Sequence, residues 1–261
     1  MAAQQGSAGR LEAGQVRAMF DRIAGVYDLM NTAMTAGLHH RWRARAADLA
    51  GIGPGSRVLD VATGTGDLAI ELAGRVAPGG EVVGCDFAEA MLDRARAKAA
   101  RGLWVRPRFE WADALALPYD DDSFDAATVG FGARNFEELG RGLEEMVRVV
   151  RPGGRVVVLE ITSPTRAPLS LFYALWFDRI VPALGRLAGA AVALGAQLGL
   201  ASSRRSIADA YSYLPSSVRR FPGPDALAAE LARAGLDDVR YLLTAGGIVA
   251  IHAGTVRAEG A

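Results

Sequence analysis

Arg57-Val58-Leu59-Asp60-Val61-Ala62-Thr63-Gly64-Thr65-Gly66-Asp67-Leu68-Ala69 is a short apolar run that breaks into a glycine-rich turn and resumes as an amphipathic segment. Val58, Leu59 and Val61 predict a buried parallel strand, and a helix starts at about Asp67. Gly64 and Gly66 let the backbone turn sharply with no side chain to obstruct a ligand. The free N–H groups at the helix start attract a phosphate or a carboxylate. Gly64-Thr65-Gly66-Asp67-Leu68-Ala69 fits the dinucleotide fingerprint with Ala in its third slot, and Asp86 follows Gly66 by 20 residues. The turn alone leaves NAD and S-adenosylmethionine equally open.

Downstream, the helix ends at Ala77-Pro78-Gly79-Gly80 and a second strand, Glu81 to Cys85, leads to Asp86. A carboxylate at that strand end accepts hydrogen bonds from both hydroxyls of a ribose and repels a 2′-phosphate. Phe109 to Ala114 predicts a third strand, with Asp113 and Ala114 at the carboxyl edge of the sheet. There the Asp side chain can accept from an adenine amine while the next N–H donates to a ring nitrogen. Phe124 to Gly132 predicts a fourth strand that opens at Gly130 into Ala133-Arg134-Asn135-Phe136, placing an obligate cation, Arg134, just past a central strand end. A helix from Phe136 to Val150 stops at Arg151-Pro152-Gly153-Gly154, and Arg155 to Glu160 is the fifth strand. Val239–Thr244 and Ile248–His252 flank Ala245-Gly246-Gly247, a hairpin signal. The pattern is α/β: a doubly wound, Rossmann-like, seven-stranded sheet with an antiparallel C-terminal hairpin that dinucleotide dehydrogenases do not normally carry.

Upstream, residues 1–15 are small and polar and read as a disordered leader; residues 16–261 form a single domain. Residues 16–50 make a helical lid in which Met19, Phe20, Ile23 and Tyr27 share an apolar face, beside the polar and aromatic tips of Asp28, Asn31, His39, His40 and Trp42. Residues 165–212 are a strongly apolar helical cap over the ligand crevice, serving as core filler or as cover for a long hydrophobic substrate.

Composition narrows the function. The 29 basic and 29 acidic residues cancel, which argues against a nucleic-acid partner. A single cysteine, Cys85, excludes an intramolecular disulfide, and three histidines with no clustered cysteine or carboxylate spacing give poor support for a metal site. The leader lacks the apolar core of a secretory signal, and no apolar run reaches the roughly 20 residues that span a bilayer. A cytoplasmic protein is expected.

Tyr27-Asp28-Leu29-Met30-Asn31, continued by Thr35, His39, His40 and Trp42, together with Arg148-Val149-Val150-Arg151-Pro152-Gly153-Gly154 through Glu160-Ile161-Thr162, resembles the two signatures of the C-methyltransferases of ubiquinone and menaquinone biosynthesis. Gly130 to Asn135, Tyr213 to Arg219 and Leu243 to Ala250 are also similar. The resemblance covers residues 16–182 and 206–254 and implies the class I S-adenosylmethionine-dependent methyltransferase fold. Thr35, Arg151, Thr162, Ala133 and Pro215 depart from the usual residues, and residues 187–206 look like an insertion beside the substrate pocket.

The resemblance implies that Thr63, Asp86, Asp113 and Ala114 bind S-adenosylmethionine, with Gly64 and Gly66 facing its methionine carboxylate. It further implies methyl transfer to a ring carbon of a reduced prenylated quinone, a demethylmenaquinol or the corresponding ubiquinone precursor. Arg134 is then the candidate for stabilising the phenolate, and His40, assisted by His39 and Asp28, the candidate base. Tyr27, Asn31 and Tyr213 would shape the substrate entrance. Methylation of another aromatic small molecule and a non-catalytic cofactor-binding subunit are the alternatives. Transient contact with a membrane surface and a homodimer are both compatible with the pattern.

Overall fold

The computed structural model describes residues 13–25, 27–100, 106–164, 179 and 213–258. Most of the expected leader, and the apolar cap with its 187–206 insertion apart from Arg179, lie outside the described residues. Three helices, α1 (Ala13–Ile23), α2 (Tyr27–Thr35) and α3 (Leu38–Leu49), precede the strand that opens the sheet, β1 (Arg57–Val61). Then follow α4 (Asp67–Val76), β2 (Glu81–Asp86), α5 (Glu89–Ala99), β3 (Arg108–Trp111), β4 (Phe124–Gly130), α6 (Leu139–Arg148) and β5 (Val150–Ile161). The described chain closes with α7 (Pro224–Arg233), β6 (Leu236–Thr244) and β7 (Val249–Val256).

The strands form one sheet in the order β3-β2-β1-β4-β5-β7-β6. The first five run parallel, and β7 pairs antiparallel with both β5 and β6. β1 is central, with Val58 opposite Val82 on one side and Ala126 on the other, and its residues from Val58 to Val61 are buried. That position explains a near-continuous apolar run where an exposed sheet would alternate. The chain winds outward from β1 to β3 and returns through β4, so the order reverses between β1 and β4. The crevice at that reversal, outside the carboxyl ends of the strands, is where open α/β sheets take ligands.

Two apolar layers clothe the sheet. Leu68, Leu72 and Val76 lie along one face of α4 and pack with Trp42 of α3 and Leu92 of α5 against Val58, Val82 and Val157. Leu143 and Met146 of α6 and Leu227 and Leu231 of α7 cover the other face at Leu59, Val83 and Val129. Fully burying a side chain of this size contributes about 1.5–3 kcal/mol. A smaller cluster of Met19, Ile23, Met30 and Met91 fastens α1 and α2 to α5, which brings the lid over the carboxyl ends of the strands.

Several boundaries differ from the expected ones. α1 begins at Ala13, inside the expected leader, and the lid's apolar run is two helices, broken at Ala24-Gly25. β3 stops at Trp111 because Asp113 turns the chain: its Oδ1 accepts the N–H of Leu115 at 2.9 Å. α6 starts at Leu139, because Phe136 folds back over Gly142, where an added Cβ would stand 2.5 Å from the ring. β5 begins at Val150, since Val150 pairs with Phe124 across a register shift before the main ladder starts at Arg155.

Candidate active site

A cavity of about 270 Å³ occupies the crevice. It is lined by Asp86, Phe87, Trp111, Asp113 and Ala114, at and beyond the ends of β2 and β3, and by Thr63, Gly64, Thr65 and Asp67 of the glycine turn and the start of α4. Asp86 binds the glycine turn from the neighbouring strand end: its Oδ2 accepts the N–H of Gly64 at 2.8 Å and its Oδ1 that of Ala88 at 2.9 Å. Burial pushes the Asp86 carboxyl up to about 6 against these donors. The Thr63 hydroxyl donates to Asp60 Oδ2 at 2.6 Å, and the Thr128 hydroxyl to Asp60 Oδ1 at 2.7 Å. Asp60, also pushed by burial to about 6, thus sits beneath the turn and fixes Thr63 without lining the cavity. Its signal in the sequence was a carboxylate in the middle of an apolar strand.

Gly66 does not line the cavity. It has φ +80°, and an added Cβ would stand 2.8 Å from the Phe109 ring and 2.9 Å from Ala95 Cβ. Its absent side chain serves the packing of α4 and α5 on β3, which corrects the expectation that it faces a ligand.

A second cavity, about 320 Å³ and mostly apolar, opens beneath the lid. Tyr27, Asn31 and Tyr213 line it together with Met19, Met34 and Trp42. The Tyr213 hydroxyl donates to Asn135 Oδ1 at 3.3 Å. Phe20, Tyr27, Arg43, Phe131 and Asn135 line both cavities, so the two share one wall. Phe131 adopts φ +61°, a conformation costly for a bulky side chain and typical of backbone held under strain at a functional site.

Arg134 also lines the second cavity. Its Nη1 donates to Glu160 Oε2 at 2.9 Å and to the Phe131 carbonyl at 2.5 Å, while its buried Nε has no partner among the described residues. Burial works against the guanidinium charge, but Glu160, itself buried at the end of the Val156–Leu159 run, together with Tyr27 and Tyr213 raises the pKa. Glu160 went unread in the sequence, although a carboxylate closing an apolar strand carries the same signal as Asp60.

The histidines and Asp28 are arranged differently from the expected base assembly. His40 is exposed and lines neither cavity; its ring stacks on His39 with centroids 3.9 Å apart. His39 is the buried one and lines the second cavity. Burial, and then the charge of Arg43, push it down to about 4, so it is neutral at physiological pH. Arg43 donates to its Nδ1, which leaves the proton on Nε2 to donate to Thr32 Oγ1 at 3.2 Å, and Thr32 in turn donates to the Asp28 carbonyl at 2.9 Å. His39 is a hydrogen-bonded strut between α2 and α3. Asp28 faces the glycine turn, where it accepts from Thr65 Oγ1 at 2.5 Å and pairs with Lys98 at 2.7 Å. The two helix-neighbouring histidines point about 100° apart, so only knowledge of the buried face separates them.

A family model described as the ubiE/COQ5 methyltransferase family matches residues 9–256. The demethylmenaquinone methyltransferase of Thermus thermophilus is 50% identical over 237 residues, 90% of this chain and 99% of that protein. The ubiquinone/menaquinone biosynthesis C-methyltransferase UbiE of Geobacter sp. is 38% identical over 242 residues, 92% of this chain and 96% of that one. Among solved structures, a SAM-dependent methyltransferase from Aquifex aeolicus superposes with a TM-score of 0.57 over 95% of this chain and 100% of its own, at 16% identity, a likeness of fold. With the β7 strand antiparallel beside β5 and two adjoining cavities at the strand ends, the chain belongs to the ubiE/COQ5 methyltransferase family and is an S-adenosylmethionine-dependent methyltransferase.

Proposed function

We propose that this enzyme methylates a ring carbon of a reduced prenylated naphthoquinone, a demethylmenaquinol. The observation that carries the reading is the shared wall: an apolar cavity of about 320 Å³ abuts the cofactor cavity along five common residues. Relatives named for demethylmenaquinone, up to 50% identical over nearly their whole length, favour the naphthoquinol over the benzoquinol.

The first cavity suits S-adenosylmethionine in its chemistry. After accepting from Gly64 and Ala88, each Asp86 oxygen keeps a lone pair for a ribose hydroxyl. Asp113 and Ala114 stand at the adenine end, with Trp111 exposed at the rim. Carboxylates around the cavity favour a cationic sulfonium over a pyrophosphate. In this reading Thr63, Gly64, Asp86, Asp113 and Ala114 hold the cosubstrate, which supplies an electrophilic methyl group.

The protein's own part is to place the ring and to make it nucleophilic. Tyr27, Asn31 and Tyr213 confine the acceptor, and the apolar lining excludes water. Arg134, which lines this cavity, brings a permanent positive charge to the hydroquinone. A cation at hydrogen-bond range lowers the phenol pKa and stabilises the anion whose charge spreads onto the adjacent ring carbon. Exposed Ala36 and Leu38 at the cavity wall give a prenyl tail a route toward a lipid surface. Among the described residues no helix is long and apolar enough to cross a membrane.

Incubation with labelled S-adenosylmethionine and either reduced demethylmenaquinone or a reduced demethylated ubiquinone precursor, followed by product mass analysis, tests the reading. The naphthoquinol should gain one methyl, and the oxidised quinone, which has no ionisable hydroxyl, should gain none. Methylation of a soluble phenol with no turnover of either quinol would overturn it.

Asp86 also makes cosubstrate affinity pH-dependent. Its ionised form is the stronger acceptor for ribose hydroxyls, and a carboxyl raised to about 6 takes up its proton as pH falls through that value. Calorimetry should therefore show S-adenosylmethionine affinity falling between pH 7 and pH 5, by at most about tenfold per pH unit. Asp86→Asn should bind about tenfold more weakly at pH 7 and give a flatter profile. An unchanged slope in that variant would assign the titration elsewhere.

A further inference from the structure

We propose that Arg43 is the residue that grips the carboxylate of the cosubstrate's methionine arm, at the point where the donor and acceptor cavities meet. The inference rests on the assignment of the first cavity to S-adenosylmethionine and names a contact within it. Arg43, on α3, is 7% exposed and lines both cavities. On the donor side it pairs with Asp67, which with Thr65 and Leu68 lines the cavity around the start of α4, whereas Asp86 and Asp113 line it at and beyond the ends of β2 and β3. If the adenosine lies by Asp86, the amino-acid arm lies by the start of α4.

Arg43 stands in a network of charges. Asp67 is its partner at 3.4 Å through Oδ2, but Asp67 Oδ1 is held more closely by Lys98 at 2.6 Å. Lys98 is itself bound to Asp28 at 2.7 Å. Lys98 makes the shorter contacts of this network, while the charge of Arg43 bears on both Asp67 and Asp60. Its other anchors are neutral: Nη1 donates to His39 Nδ1, and the guanidinium carbon stands 5.7 Å from the Phe131 ring centroid. A guanidinium has five N–H donors in a planar fork that matches a carboxylate. Paired with Asp67 at 3.4 Å and donating to His39 through Nη1, the guanidinium keeps further N–H donors that suit an anionic ligand.

The arrangement also explains why the site tolerates so many carboxylates. Asp60, Asp67 and Asp86 surround the turn and suit a sulfonium and an ammonium, yet they oppose a carboxylate on the same molecule. Of the two arginines in the donor-cavity lining, Arg17 is half-exposed and pairs with Asp21 on its own helix, while Arg43 is buried beside Asp67 and resolves that conflict.

The test compares S-adenosylmethionine with its decarboxylated analogue, which keeps the adenosine, sulfonium and ammonium. Titration calorimetry on the wild-type enzyme should show a preference of about 10- to 100-fold for the parent compound, the range of a charge-assisted hydrogen-bond pair. In Arg43→Gln the parent should weaken by that factor, the analogue should bind nearly as before, and the ratio should approach 1. Arg43→Lys, which keeps a point charge without the fork, should give an intermediate ratio, and serves if the Gln variant does not fold. Taking the ratio within each protein removes any general loss of stability. Equal weakening of both ligands, or a wild-type ratio in both variants, would overturn the role of Arg43 and leave it a support for His39 and Phe131. Failure of the wild-type enzyme to bind either compound would overturn the cavity assignment itself.

Discussion

Replacing Arg134 by Met is expected to lower kcat by about 10²- to 10³-fold, the usual loss on removing a charge-stabilising donor, while S-adenosylmethionine affinity is largely retained. Arg134 lines the acceptor cavity and is absent from the lining of the donor cavity, so its loss should fall on the methyl-transfer step. Removing it also strands Glu160, a carboxylate with 1% side-chain exposure whose Oε2 lies 2.9 Å from the guanidinium. Breaking a buried pair from one side costs about 3–5 kcal/mol. The decisive protein is therefore the double variant Arg134→Met with Glu160→Gln, in which no uncompensated charge remains. Its unfolding midpoint in denaturant should recover most of the loss seen in Arg134→Met, and its single-turnover rate should stay low. Recovery of rate together with stability would make Arg134 a structural residue, and parallel losses in kcat and cofactor affinity would count equally against a role in stabilising the phenolate.

Gly66→Ala should lower the unfolding free energy by about 2–5 kcal/mol, the sum of left-handed strain and overpacking. The strain arises because Gly66 has φ +80°, and the overpacking because the new methyl would meet Phe109 and Ala95 closer than 3.0 Å. Gly64 provides the contrast. It has φ +57° with nothing within 4 Å of an added Cβ, so Gly64→Ala should cost only the strain, about 1–2 kcal/mol. Because Gly64 faces the cavity and donates its N–H to Asp86, that variant should lose S-adenosylmethionine affinity instead. Denaturant titration and calorimetry on both variants check the separation: two glycines of one motif, one acting through folding and the other through binding.

Strands β1, β2 and β4 were legible because burial on both faces imposes nearly unbroken apolar runs, each closed by turn residues. The ligand-facing end of the sheet followed from the same reading, which is why Asp86, Asp113 and Ala114 lie where strand ends place them. Contacts across the fold were not legible. Arg134 meets Glu160 at a separation of 26 residues, and Lys98 meets Asp28 across the lid, pairings that periodicity does not encode. The lid misled for a local reason: His39 and His40 are adjacent on one helix, and the buried face of α3 takes the first of them. Gly25 hid the break between α1 and α2, since a single glycine is tolerated within helical spacing.

The threading of the last strands has a consequence for biosynthesis. β6 joins the sheet only through β7, and β7 is the strand that touches β5. On the ribosome, residues 236–244 emerge before residues 249–256, so the edge strand is made before the strand it must sit beside exists. Until β7 slides between β5 and β6, Tyr241, Leu242 and Leu243 belong to an unpaired β-segment of the kind that associates between chains. The sheet is therefore closed by β7, translated after the edge strand it carries, and an interruption of synthesis just short of residue 249 leaves a chain with its cofactor turn built and its edge open.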